Sequence, residues 1–153
     1  MTNTYKHIFF DLDHTLWDFA GNSRKTMRSL FLEFDLLGMG VPNFDHFMDT
    51  YEKINEELWV LYRAQKIDKP TLRNGRFPMV LEHWGIVNEE LSTSINERYL
   101  TDGPKQPGLM PNALETLDYL KANYKIHLIT NGFKEVQATK LQSSGLQGYF
   151  ETI

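Results

Sequence analysis

Two short β-rich runs, Ile8-Phe9-Phe10 and Lys125-Ile126-His127-Leu128-Ile129, bracket a block of about 90 residues whose apolar side chains recur at helical spacing. Beyond the second run come a further helical pattern and the start of a third β-rich run, Tyr149-Phe150-Glu151-Thr152-Ile153. That order implies an α/β fold, a Rossmann-like parallel sheet with an all-helical domain grown out of its first loop. The expected division is 1–17 with 109–153 for the α/β part, its sheet incomplete, and 18–108 for the helical domain and its closing linker.

Within the block, Asn22 or Ser23 is placed to cap a first helix with Met27, Leu30, Phe31, Phe34 and Leu37 inward and Gly38 and Gly40 as its stop. A second helix opens at Asn43 and runs to Ala64, carrying Phe44, Phe47, Met48, Tyr51, Ile54, Leu58 and Leu61 on one stripe. Pro70 starts a third, closed by Gly85, and Asn88-Glu89-Glu90 starts a fourth with Leu91, Ile95 and Tyr99. Two prolines and two glycines between Thr101 and Gly108 mark the clearest linker. Pro111-Asn112 then opens a helix over Leu114, Leu117 and Leu120, and another spans Phe133 to Ser144 with Gly145 as a left-handed stop.

Composition excludes several classes of function. With 41% hydrophobic residues the chain can bury a sizeable core. A net charge of -4 with scattered lysines and arginines argues against a nucleic-acid polymer as partner. No apolar run approaches the roughly 20 residues of a spanning helix and no signal-peptide pattern opens the chain, so a cytoplasmic setting without membrane attachment is expected. The absence of cysteine removes disulfides, thiolate metal sites and a thiol nucleophile together. None of His7, His14, His46, His83 and His127 forms an i, i+4 pair.

The chemistry-bearing stretch is Ile8-Phe9-Phe10-Asp11-Leu12-Asp13-His14-Thr15-Leu16, a strand that ends in two acids spaced i, i+2 with a hydroxyl two further on. An acidic turn capping the strand is the plain alternative. A calcium loop starting at Asp11 fails, because Leu16 stands where glycine is needed and Asn22 where glutamate is. At the second run, Leu128-Ile129-Thr130-Asn131-Gly132 delivers a hydroxyl into a turn ahead of a helix, where backbone N–H groups can receive a phosphate.

The string from Ile8 to Leu16 resembles the first signature motif of the haloacid dehalogenase (HAD) superfamily, mostly Mg²⁺-dependent phosphatases, and Thr130 matches the second. The likeness extends along essentially the whole chain, to a member with a helical cap of the first type. It implies Asp11 as nucleophile, Asp13 as general acid and base, both acids at a magnesium ion, and Thr15, Thr130, Asn131 and Gly132 at the phosphate. Asp13 favours phosphoryl transfer over dehalogenation, since a dehalogenase of this superfamily needs no acid there. The family look is nearest to hydrolases of nucleoside monophosphates, with small sugar phosphates close behind; a phosphomutase or dehalogenase of the same superfamily, and an inactive scaffold that binds a partner through its cap, are the alternatives. Oligomeric state is not readable from the sequence.

Residues after Thr130 offer no match to the family's third motif, a lysine usually before proline, or to its fourth, an acidic metal site. Lys134 and Lys140 read as solvated, and Gln137 to Leu146 as packing. The expectation is that these 153 residues are the N-terminal part of a longer protein, or the ordered part of one, and turn over poorly alone. By the resemblance, Trp17, Phe19 and Asn22 sit where a flap touches substrate. Arg73-Asn74-Gly75-Arg76-Phe77 reads first as a solvated face with one core Phe, and alternatively as two cations beside an aromatic for an anionic substrate.

Overall fold

The computed structural model describes residues 5–153. In chain order the elements are β1 (His7–Phe10), α1 (Phe19–Glu33), α2 (Phe44–Arg63), α3 (Lys69–His83), α4 (Glu89–Asp102), a 3₁₀ turn (Gly103–Lys105), α5 (Ala113–Lys121), β2 (Lys125–Leu128) and α6 (Lys134–Ser143). They form two compact units, one made of the described part of Met1–Ser23 with Asp102–Ile153, the other of Arg24–Thr101. The α/β unit thus reaches six residues further at its first boundary, and starts seven earlier at its second, than the division at 17 and 109. The reason is local. The Asn22 amide donates to Gly108 O at 2.8 Å and accepts from Gly108 N at 3.1 Å, and Trp17 Nε1 donates to Gln106 O at 3.0 Å, fastening the segment before residue 109 to the first turn.

In the α/β unit β1 and β2 pair in parallel, with His7 opposite Lys125 and Phe10 opposite Leu128. Around them Leu12, Leu16, Trp17, Ala113, Leu117, Ile126, Leu128, Leu141 and Leu146 form the core. The third strand amounts to one parallel bridge, His127 to Thr152, with Leu128 N bonded to Thr152 O at 2.9 Å. The strand at residue 8 is half-covered: Ile8 and Phe10 are partly buried while Phe9 is exposed. In a parallel sheet residues i and i+2 share a face, so the apolar run places Phe9 alone on the side left open.

In the helical unit α2 lies where its sequence pattern puts it. The Asn43 side chain accepts from His46 N, and Phe44, Phe47, Met48, Tyr51, Ile54 and Leu58 are buried. Helix α1 departs from expectation at both ends. It opens at Phe19, with the Asp18 carboxylate accepting Gly21 N at 2.9 Å, four or five residues before the expected cap at Asn22 or Ser23. Its stop is Asp35 at φ 46, with Leu36 N returning to Phe31 O at 3.1 Å, so Leu36 is buried and Leu37 is exposed. Nor is 101–108 a plain linker, because α4 runs to Asp102 and Gly103 and Pro104 are buried in the 3₁₀ turn. At Gly145 the expected left-handed stop is present, at φ 73.

Arg76 is not on a solvated face. It is buried, donates to Asn55 Oδ1 at 3.2 Å and Tyr51 Oη at 3.5 Å, and lies over the Tyr99 ring at 5.4 Å. Tyr51 in turn donates to Tyr99 Oη at 2.7 Å. Burial, reinforced by Tyr99 and opposed by Arg76, pushes the Tyr51 phenol well above the usual tyrosine range. A raised pKa means stability that is complete below the ordinary tyrosine value and is lost as pH rises through the folded one. In an alkaline titration the Tyr51 phenolate is therefore expected to appear only together with loss of the helical circular-dichroism signal. A Tyr51→Phe difference spectrum showing it ionise earlier, with helicity intact, would contradict this.

Candidate active site

The carboxyl ends of β1 and β2 lie side by side, since Ile129 N donates to Phe10 O at 2.8 Å. Asp11 and Thr130 leave those two ends, the edge at which open α/β sheets take their ligands. After Asp11 the chain turns tightly. The Leu12 carbonyl accepts from the N–H groups of Thr15, Leu16 and Trp17, and His14 adopts a left-handed φ of 64. Leu12, Leu16 and Trp17 go into the core, leaving Asp11 exposed and Asp13 partly covered beside them.

Both carboxylate oxygens of Asp13 have a donor. Its Oδ1 accepts from Lys140 Nζ at 2.6 Å and its Oδ2 from Gln137 Nε2 at 2.9 Å. The same Gln137 nitrogen donates to Thr130 Oγ1 at 2.6 Å, so these acidic and hydroxyl oxygens lie no further apart than two hydrogen bonds to one atom allow. With Asp13 ionised, it is the amide nitrogen of Gln137 that must face it, because a carboxylate can only accept. Gly132 N also donates to Thr130 Oγ1, at 3.1 Å. A hydroxyl has two acceptor sites and one donor; with both acceptors taken, the Thr130 proton is what remains to offer.

The other expected residues divide. Asn131 is exposed and has no hydrogen bond among the described residues, so its N–H is available to a phosphate, whereas the Gly132 N–H is directed to Thr130. Thr15 is exposed, with no partner for its hydroxyl among the described residues. Trp17 and Asn22, expected at a substrate, are instead buried and tied to Gln106 and Gly108, while Phe19 is only partly covered.

Two residues at the site were not foreseen. Lys140, expected on the surface, is 5% exposed, with its ammonium 4.3 Å from the Trp17 ring centre and 5.4 Å from that of Phe19. Gln137, expected only to pack, is 2% exposed. A signal for both is present in the sequence: the α6 segment Lys134–Ser143 has Val136 and Leu141 as its only large apolar residues, too few for an apolar stripe, so any face it buries must include polar side chains.

A magnesium ion wants several oxygen ligands. The Asp11 carboxylate, with no hydrogen-bond donor on it among the described residues, fits as one of them. The side-chain oxygens of Asp13 are already turned to Lys140 and Gln137, and no group of three acidic or histidine side chains converges among the described residues. Nor is any helix among those residues long and apolar enough to cross a membrane.

A family model described as haloacid dehalogenase-like hydrolase matches residues 5–153. The chain is 32% identical over 150 residues to the pyrimidine 5'-nucleotidase PynA of Streptococcus pneumoniae, covering 97% of this chain and 60% of that protein. It is 31% identical over 146 residues to the pyrimidine 5'-nucleotidase YjjG of Escherichia coli, covering 95% and 60%. Both alignments span about three-fifths of the relative's length. Among solved structures, the magnesium-bound HAD-hydrolase YfnB of Bacillus subtilis superimposes with a TM-score of 0.86 over 99% of this chain and 65% of that one, at 24% identity, a likeness of fold.

Proposed function

The chain belongs to the haloacid dehalogenase-like hydrolases, and from that premise we propose that it serves a magnesium-dependent phosphomonoesterase acting through an aspartyl phosphate, with a pyrimidine nucleoside monophosphate as substrate. The observation that carries the proposal is the single amide nitrogen of Gln137 bonded to both Asp13 and Thr130, which joins the acid–base candidate to the phosphate-binding candidate. Asp11, exposed and with no donor on its carboxylate among the described residues, is the nucleophile. Its carboxylate oxygen attacks phosphorus as the ester P–O bond breaks, and Asp13 delivers a proton to the departing alcohol oxygen. Water then attacks the acyl phosphate, Asp13 takes its proton, and inorganic phosphate and the free Asp11 carboxylate result. Thr130 donates its one remaining hydrogen to a phosphoryl oxygen, and the Asn131 N–H adds a second donor as charge builds there.

Asp11 is the side chain that would hold magnesium, and the bound ion supplies positive charge that offsets the repulsion between carboxylate and phosphate dianion. The substrate class is drawn from PynA and YjjG, both pyrimidine 5'-nucleotidases. Phosphate release from uridine and thymidine 5'-monophosphates is expected to exceed that from purine nucleotides and sugar phosphates, and to stop with chelator. Turnover indifferent to chelator would remove the metal from the proposal. A preference for sugar phosphates would remove the nucleotide.

A further inference from the structure

Resting on that reading, we infer that Gln137 and Lys140 are positioning residues that clamp the carboxylate of Asp13, one donor to each oxygen, and lock it to Thr130. Neither residue carries a role in the mechanism above, and neither is placed as a packing residue would be. Each is more than nine-tenths buried on the inward side of α6, where apolar side chains would hold the helix at least as well. Gln137 is kept there although its Oε1 is buried with no partner among the described residues, a cost that a leucine would not incur. The turn is shaped around the same side chain, because a Cβ at Gly132 would collide with the Gln137 amide. Lys140 is steered in turn by the faces of Trp17 and Phe19, which direct its ammonium to Asp13 Oδ1.

The two contacts fix orientation without blocking chemistry. A carboxylate has about four acceptor sites, and two donors leave a lone pair on each oxygen for the proton that passes to the ester oxygen and later returns from water. A loosened Asp13 would still be a carboxyl group, but out of line with the leaving oxygen. The loss is then felt most by esters whose alcohol cannot depart unprotonated, and least by esters of acidic phenols.

The test compares kcat/KM for uridine 5'-monophosphate with that for p-nitrophenyl phosphate in the full chain. The ratio of the two does not depend on the fraction of protein that is folded, so a merely structural defect leaves it unchanged. Gln137→Ala, Lys140→Met and Gly132→Ala, the last of which displaces the Gln137 amide by its methyl group alone, are each expected to lower the ratio by about 10-fold to 100-fold, chiefly through kcat. Lys140→Arg, which keeps a charged donor, is expected to restore most of it. Asp13→Asn is the control. If it lowers the ratio while Gln137→Ala and Lys140→Met do not, the clamp is wrong and the acid–base assignment survives; if Asp13→Asn itself leaves the ratio alone, the underlying mechanism fails.

Discussion

Replacing Asp11 by asparagine is expected to lower phosphate release by at least about 10⁴-fold, with the protein still folded. The substitution nearly conserves size and removes the anion. The amide oxygen is a poor nucleophile, so no acyl phosphate forms and the divided reaction is lost rather than slowed. The cost to folding is small because Asp11 is exposed and nothing among the described residues donates to its carboxylate. Acid-quenched protein incubated with labelled substrate should hold label in the parent chain and none in Asp11→Asn. An Asn variant within tenfold of the parent would place the nucleophile elsewhere.

The second large effect concerns stability. Lys140→Met is expected to destabilise the α/β unit by about 3 kcal/mol, because it leaves the partly covered Asp13 carboxylate without its cation. That is the lower end of the range for breaking a buried pair. The Lys140 side chain is 7% exposed but that of Asp13 is 25%, so water relieves part of the unpaired charge. Exchanging both partners, Asp13→Leu with Lys140→Met, should recover most of the loss, since the desolvation of two charges disappears along with their attraction. Urea unfolding followed through Trp17, which lies under the ammonium, measures both. A double variant no more stable than the single one would show that the pair, and not the unpaired charge, supplies the stability.

The elements of the chain differ in how much their own sequence reveals. Helix α2 was readable almost to the residue because its signals are local: an Asn43 cap, a seven-residue apolar stripe and the acid Asp45 in its first turn. The end of α1 is not local in the same way: the pattern points to two glycines as the stop, whereas Asp35 adopts the left-handed turn three residues earlier and brings Leu36 inward in place of Leu37. Aspartate in that conformation is uncommon enough that pattern alone favours glycine.

At the candidate site the division is chemical. Asp11, Asp13 and Thr130 stand at the ends of apolar runs, and a strand followed by an acid or hydroxyl can be recognised from its own neighbours. Local signals suffice for the two parallel strands, the helical insertion and the edge at which these side chains emerge, because periodicity and capping act over a few residues. That Gln137 and Lys140, more than 120 residues from Asp13, are the groups that hold it follows only from how the folded chain brings them together. A buried polar contact needs its partner in place before it is favourable, and nothing in the local pattern around either residue specifies that partner.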